Sequence, residues 1–428
     1  MLAADPLADH KDRGISAAAA NVVSSSRMAD VVRRISLVRQ KEPELTAILL
    51  CGDLTTKGCL DGYKSCLNFL RQSLLLSDQE YWQSRRLVSV PGNHDLNRSA
   101  ITPGQPPEEK FVPIAQAWLS LIGSDAHLNI GPPVAIDVPA SATSVVDPSI
   151  RIMALNTCFL CGEHRAFPEK LRLKLEEALA LLKEEISTGD YNALMSEQID
   201  CPAVERTHIE AVCNLIQESA DESVAVVLGH HPLFAQPSPR IDGYAELLNA
   251  GFVREALLST RRNVLYLHGH IHQEPILVVN SPVRGGNRII HVSAPALSDG
   301  FNLIRIFFSE KTSQPLGLEL VPYRFGEHLG MEERDPIALR LIGSEALWNE
   351  LDDPWLTFVL SKLSSPGHVL RFSELLRQVP SSLRGDDGDA ELQTCLRNAL
   401  RILELLELII INNRDKSEKL WQCRRTTV

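Results

Sequence analysis

Apolar and polar positions alternate in blocks along roughly the first 320 residues of this 428-residue chain. Short apolar runs at Thr46–Leu50, Leu87–Val90, Ile150–Leu155, Val224–Leu228, Val264–Leu267, Ile289–Ser293 and Leu303–Phe308 have the length of strands. Between them, Arg27–Lys41, Tyr63–Leu76, Pro168–Ile186 and Ala203–Glu218 carry helical periodicity. In the first of these, Met28, Val31, Val32, Ile35 and Val38 fall on one stripe. Strands alternating with helices predict an α/β class, a sandwich of two or three layers.

Four of the strand-like runs end in turns of similar chemistry. They deliver Cys51-Gly52-Asp53, Gly92-Asn93-His94-Asp95, Gly229-His230-His231-Pro232 and His268-Gly269-His270-Ile271-His272. In α/β folds ligands bind at the carboxyl ends of strands, so these turns predict one shared site.

Two segments read as insertions. Asn97–Pro113 is proline-rich, carries Glu108-Glu109 and follows a site turn directly, which predicts a loop beside the site. Glu163–Asp200 adds a charged helix whose simplest reading is a solvated face. A charged linker at Gly330–Pro336 then separates a domain spanning residues 1–330 from one spanning 336–428. The second predicts helices at Pro354–Leu363, Phe372–Val379 and Ala390–Leu406, then a hairpin of Leu408–Ile411 and Leu420–Cys423 across a turn at Asn412–Glu418. A small, mainly helical module of this order resembles a winged helix.

Composition changes the picture in three ways. Apolar residues at 44% and charged residues at 23% fit a globular chain with a full core. A formal net charge of −11 gives no overall attraction to nucleic acid or anionic membrane. From Pro336 to Val428, twelve Lys/Arg stand against thirteen Asp/Glu, a net of −1, so protein contact or self-association is a better expectation there than DNA readout. The nine cysteines are odd in number and scattered, which predicts reduced thiols and a cytoplasmic setting, with no membrane span. Cys158-Phe159-Leu160-Cys161 has CxxC spacing but no second pair, so it reads as structural.

The chemistry of the turns points to metal. A dinuclear hydrolytic centre needs a carboxylate that bridges two cations and neutral nitrogen and oxygen ligands. Asp53 suits the bridge, and Gly52 lets the backbone come close. Asn93 offers an amide oxygen, and His230, His270 and His272 offer imidazoles. The spacing of His270 and His272 places both on one face if the segment is extended. His94 beside Asp95 suits a proton donor whose imidazole is steadied by a carboxylate.

These pieces together resemble the calcineurin-like metallophosphoesterases: Gly52-Asp53, Gly92-Asn93-His94-Asp95, the His230-His231-Pro232 turn and Gly269-His270-Ile271-His272, over roughly residues 27–310. The resemblance implies a four-layer α/β/β/α sandwich. It also implies two divalent or trivalent ions (Mn, Fe or Zn) and hydrolysis of a phosphomonoester or phosphodiester by attack of a metal-bridging water. By position, Asp53 would bridge the metals, Asn93, His230 and His270 would complete one, and His272 would serve the other. His94 would touch the phosphate or leaving group, supported by Asp95, while His231 would lie behind the ligands.

The chain departs from that pattern at its start. The family opens with a strand ending in Asp-x-His, whereas Asp5, Asp9, His10 and Asp12 have other spacings and follow no evident apolar run. With Asp53 and His272 alone, the second metal would fall short of three or four protein ligands. Two expectations stand: the first strand lies upstream of Met1, or the protein has diverged into a one-metal enzyme or an inactive scaffold. Arg98 and Arg240 are candidate phosphate contacts, though surface ion pairs are the simpler reading. The loops at Asn97–Pro113, Glu163–Asp200 and Ala235–Tyr244 would choose the substrate.

Overall fold

The structure is a computed structural model that describes residues 2–4, 17–42, 45–55, 58–72, 86–97, 106–123, 126–139, 149–161, 169–187, 202–220, 223–234, 246–272, 276–282, 287–309, 312–326, 330–342, 351–364, 369–384, 389–411 and 420–423. Asp5, Asp9, His10, Asp12, Arg98, Arg240, the Ala235–Tyr244 loop and the Asn412–Glu418 turn lie outside the described residues.

The elements follow the predicted alternation. The chain runs β1 (Leu2–Ala4), α1 (Ala17–Lys41), β2 (Ala47–Leu50), α2 (Leu60–Leu70), β3 (Arg86–Ser89), α3 (Val112–Leu121) and β4 (His127–Leu128). It continues through β5 (Val134–Pro139), β6 (Ser149–Ala154), α4 (Glu169–Glu185), α5 (Arg206–Gln217), β7 (Val224–Leu228), α6 (Ala250–Ser259) and β8 (Val264–His268). Then come β9 (Leu277–Asn280), β10 (Arg288–Ser293), β11 (Gly300–Phe308), β12 (Pro315–Phe325), β13 (Met331–Glu333) and β14 (Ile337–Arg340). The last stretch holds α7 (Pro354–Leu363), β15 (Val369–Arg371), α8 (Phe372–Arg377), α9 (Asp389–Leu405), β16 (Ile409–Ile411) and β17 (Leu420–Cys423).

The start of the chain corrects one expectation. A strand does precede the first helix: β1 pairs in parallel with β2, Ala4 opposite Leu50, and antiparallel with β11, Leu2 opposite Leu303. Three residues are too few to show a period, so pairing rather than pattern reveals the strand. The first helix also begins ten residues before Arg27, through Ala- and Ser-rich sequence that lacks an amphipathic stripe. From Arg27 onward the predicted stripe faces the core, with Val31, Ile35 and Val38 buried.

Two compact units divide the chain, and neither is one continuous segment. The first holds Met1–Asn280, Asn287–Leu303 and Tyr323–Glu332; the second holds Ser281–Gly286, Ile304–Pro322 and Glu333–Val428.

Within the first unit, β1, β2, β3 and β4 form consecutive parallel pairs. A second sheet has the order β5-β6-β7-β8-β10-β9, with β6, β7, β8 and β10 parallel and antiparallel strands at both edges. Every residue of β7 and β8 is buried, which is why both read as unbroken apolar runs. Helices α5 and α6 cover this sheet, with Ile209, Val212, Ile216, Val253 and Leu257 packed on Met153, Val227 and Tyr266. Each such side chain contributes roughly 1.5–3 kcal/mol of transfer free energy. The β2 and β3 ends and the β7 and β8 ends supply the four polar turns.

The Asn97–Pro113 insertion is described at Asn97 and from Pro106 onward. It ends in a 3₁₀ turn, Pro107–Phe111, that buries Lys110 and leads into α3. Pro113 sits in the first turn of that helix, where its missing N–H costs nothing.

Within the second unit, β14 pairs antiparallel with β12. Helices α7, α8 and α9 and a small sheet of order β15-β17-β16 share a core of Leu356, Val359, Leu363, Leu375, Leu396, Leu400, Leu403, Ile409 and Trp421. Asp353 caps α7 by accepting the N–H groups of Trp355 and Leu356 at 2.8 and 3.1 Å, ahead of Pro354 at the first helical position. Among the described residues, no helix is long and apolar enough to cross a membrane.

Candidate metal centre

The site starts from a strained turn. After β2 the chain passes through Gly52 at φ +97° and Asp53 at φ +54°. A Cβ on Gly52 would stand 2.6 Å from His230 Nδ1 and 2.7 Å from the Gly92 nitrogen, so only glycine fits. Gly92 is as tightly placed, its missing Cβ space being filled by the Asp53 carboxylate. Asp53 has no such freedom, and a left-handed aspartate costs about 1–3 kcal/mol. His270 (φ +68°) and His272 (φ +55°) share the strain, so three of the six non-glycine residues with positive φ among the described residues are candidate ligands. Strain of this kind gathers at functional sites.

Asp95 holds the two carboxylate-bearing turns together. Its side chain is fully buried and accepts the N–H groups of Gly92 (2.9 Å), Leu54 (3.1 Å) and Thr55 (2.9 Å). Burial pushes its carboxyl up and the nearby Asp53 charge pushes the same way, against the three N–H groups that favour the charged form. These contacts differ from the expectation that Asp95 steadies the His94 imidazole: its partners are three backbone N–H groups and the Thr55 hydroxyl. His94 itself is anchored through its backbone: its N–H donates to Asp53 Oδ1 at 3.0 Å and its carbonyl accepts from Thr55 Oγ1 at 3.1 Å. Its imidazole is left exposed.

The histidine side of the site comes from β7 and β8. His230 Nδ1 lies 2.6 Å from the Cys51 carbonyl oxygen, which can only accept, so Nδ1 carries the proton. Nε2 then faces Asn93 Oδ1 at 3.1 Å and Asp53 Oδ2 at 3.5 Å. His270 Nδ1 approaches the same Asn93 oxygen at 3.2 Å. A neutral His230 would thus present a lone pair to an amide oxygen and a carboxylate oxygen, all of them acceptors. A metal ion, a second proton, or an Asn93 amide turned to offer its Nδ2 donor satisfies that arrangement, and only the metal uses all four side chains as ligands. Two imidazole nitrogens, an amide oxygen and a carboxylate oxygen form a donor set that Mn, Fe and Zn all accept.

Charge supports the same reading. Burial alone would raise the Asp53 carboxyl, but the imidazoles of His230, His94 and His270 and the His94 N–H hold it below its ordinary value. Burial, followed by the His230 charge, pushes the His270 imidazole down to about 3, toward the form that ligates metal.

The structure therefore brings Asp53, Asn93, His230 and His270 together. His230 and His270 share with His231 one cluster whose ligand atoms lie within 4.8 Å of one another, while Asp53 and His272 are outside that cluster. His272 follows on the same turn, close enough for its charge to oppose that of His270. The left-handed angles at His270 and His272 show that this segment is a turn and not an extended strand, so the two-residue spacing does not set a common face.

Thr157 is a residue that sequence reasoning missed. Its Oγ1 accepts the N–H groups of both His230 and His231 at 3.0 Å and lies 3.1 Å from His231 Nδ1. It reaches them because β6 and β7 are parallel, with Ala154 opposite Leu228 three residues before Thr157. A lone threonine after a strand gives no signal of this role.

No family model and no curated protein matches the chain. Among solved structures, a protein from Staphylococcus aureus described as a 5′-nucleotidase, in complex with alpha-ketoglutarate, aligns at 10% identity and a TM-score of 0.33, covering 93% of this chain and 57% of that one. The NAD nucleotidase of Haemophilus influenzae aligns at 11% identity and a TM-score of 0.29, covering 73% of this chain and 49% of that one. The chain thus spans about half the length of these proteins. At such scores neither likeness bears on fold or function.

Proposed function

We propose that this protein is a metal-dependent phosphoester hydrolase of the calcineurin-like type, with Asp53, Asn93, His230 and His270 holding one ion. Asp53 and His272 are the proposed share of a second. The observation that carries the reading is the convergence of ligating side chains: His230 Nε2 lies 3.1 Å from the Asn93 amide and 3.5 Å from Asp53 Oδ2, with Nδ1 fixed on the Cys51 carbonyl. When bound, such ions supply a nucleophilic water and positive charge for the phosphoryl oxygens.

The chain's own residues do the rest. Asp95 fixes the two turns by three N–H bonds, so the Asp53 carboxylate and the Asn93 amide are set before substrate arrives. The exposed His94 imidazole hands a proton to the leaving oxygen. We read residues 336–428 as a winged-helix-like module on the element order α7-β15-α8-α9-β16-β17, used for protein contact or self-association. The odd number and scattered placement of the nine cysteines support a cytoplasmic setting.

The test is hydrolysis of aryl phosphate monoesters and diesters by the full chain with Mn²⁺, compared with Asp53→Asn. Loss of turnover by about 10²–10³-fold or more is expected, the scale for removing a pre-set electrostatic group. Unchanged turnover in the variant would sink the assignment.

A further inference from the structure

The turn after β6 holds a second cluster of ligating side chains outside the proposed centre. Cys158, Cys161 and His231 are all buried, and one ligand atom of each lies within 4.8 Å of the others. Cys158 Sγ stands 3.8 Å from His231 Nδ1. Zinc–sulfur and zinc–nitrogen bonds of ordinary length at a tetrahedral angle separate sulfur from nitrogen by about 3.6 Å. The pair is therefore already near ligand spacing.

The turn is built to hold its shape. The Cys158 N–H donates to Asn156 Oδ1 and the Cys161 N–H to the Cys158 carbonyl, both at 3.0 Å. Lys110, 2% exposed, donates its ammonium to the carbonyls of Phe159 (2.6 Å) and Cys161 (2.7 Å). A buried cation against this turn offsets the negative charge that metal-bound thiolates carry. His231 enters from β7, its backbone fixed by Thr157 Oγ1.

We propose that Cys158, Cys161 and His231 bind a thiophilic d¹⁰ ion, Zn²⁺ or Cu⁺, that fastens the β6 turn to the His230–His231 turn. Binding converts two thiols to thiolates and releases their two protons to solvent. His231 gives Nδ1 to the ion, and the Thr157 hydroxyl hydrogen turns away while its oxygen keeps both backbone N–H groups. Soft sulfur ligands choose this class of ion over Mg²⁺ or Mn²⁺, which separates the site chemically from the oxygen-bearing centre next to it.

The experiment uses the full chain, reduced and handled without oxygen. Loading wild type with Co²⁺ should produce a thiolate-to-cobalt charge-transfer band, and metal analysis after dialysis should find about one retained equivalent of zinc or copper that follows Cys158 and Cys161. The band and that equivalent should persist in Asp53→Asn and disappear in Cys158→Ser/Cys161→Ser. Persistence in Asp53→Asn separates this proposal from the hydrolase reading. The wild-type band needs no variant, so misfolding of the double variant leaves the test intact. Absence of the band in wild type overturns the proposal. So does a Cys158–Cys161 linked peptide in the chain as purified, which would make the pair a disulfide.

Discussion

His230 and His231 are neighbours in sequence, both buried, and serve two different neighbourhoods. His230 joins Asp53, Asn93 and His270, a set drawn from four strand ends, with oxygen and nitrogen atoms aimed at one another. His231 joins Cys158 and Cys161 in a sulfur-rich pocket supplied mainly by one turn. The first neighbourhood carries strained backbone at Asp53 and His270 and opens onto an exposed His94; the second is closed and has no positive φ at its three residues. Strain that other contacts must hold in place, next to an open side, marks the place for chemistry. A relaxed, sealed pocket suits a structural role.

Substitutions can break that contrast in order of size. His94→Gln should lower turnover of alkyl phosphate esters by about 10²–10⁴-fold, the range for a positioned proton donor. The loss should shrink for aryl esters whose leaving groups depart without a proton, as steady-state kinetics over a leaving-group series would show. An equal loss for every leaving group would remove His94 from proton transfer.

Gly92→Ala tests placement without replacing a ligand. The added methyl would collide with the Asp53 carboxylate, and displacing a reacting group by about 1 Å costs on the order of 10²-fold in rate. Turnover and metal content measured together should fall together. Asp95→Asn should act mainly on stability. Its amide nitrogen would face backbone N–H groups that now donate to a carboxylate, costing about 1–3 kcal/mol. Calorimetry should register a midpoint lower by a few degrees, and an unshifted midpoint would deny Asp95 its clamping role.

Much of this is legible in the amino-acid sequence. β2, β3, β7 and β8 are buried on every described residue or nearly so, and each ends in a turn rich in Gly, His, Asn or Asp. Length and turn chemistry were enough to predict them and to gather Asp53, Asn93, His230 and His270. What escaped had physical reasons. β1 is three residues long, and the early part of α1 is Ala- and Ser-rich, so neither shows a period. The Cys158–Cys161 pair looked inert because its partner His231 lies seventy residues away and reaches it only through the β6–β7 register. The strain at His270 and His272 is a backbone property that residue spacing does not encode.

A cation held among Asp53, Asn93, His230 and His270 is tested most directly by Mn²⁺ binding followed by electron paramagnetic resonance. Wild type should take up the ion, and Asn93→Ala should weaken that uptake by at least about 10–100-fold, since even residues that merely orient ligands cost that much. Equal Mn²⁺ affinity in wild type and Asn93→Ala would contradict the account.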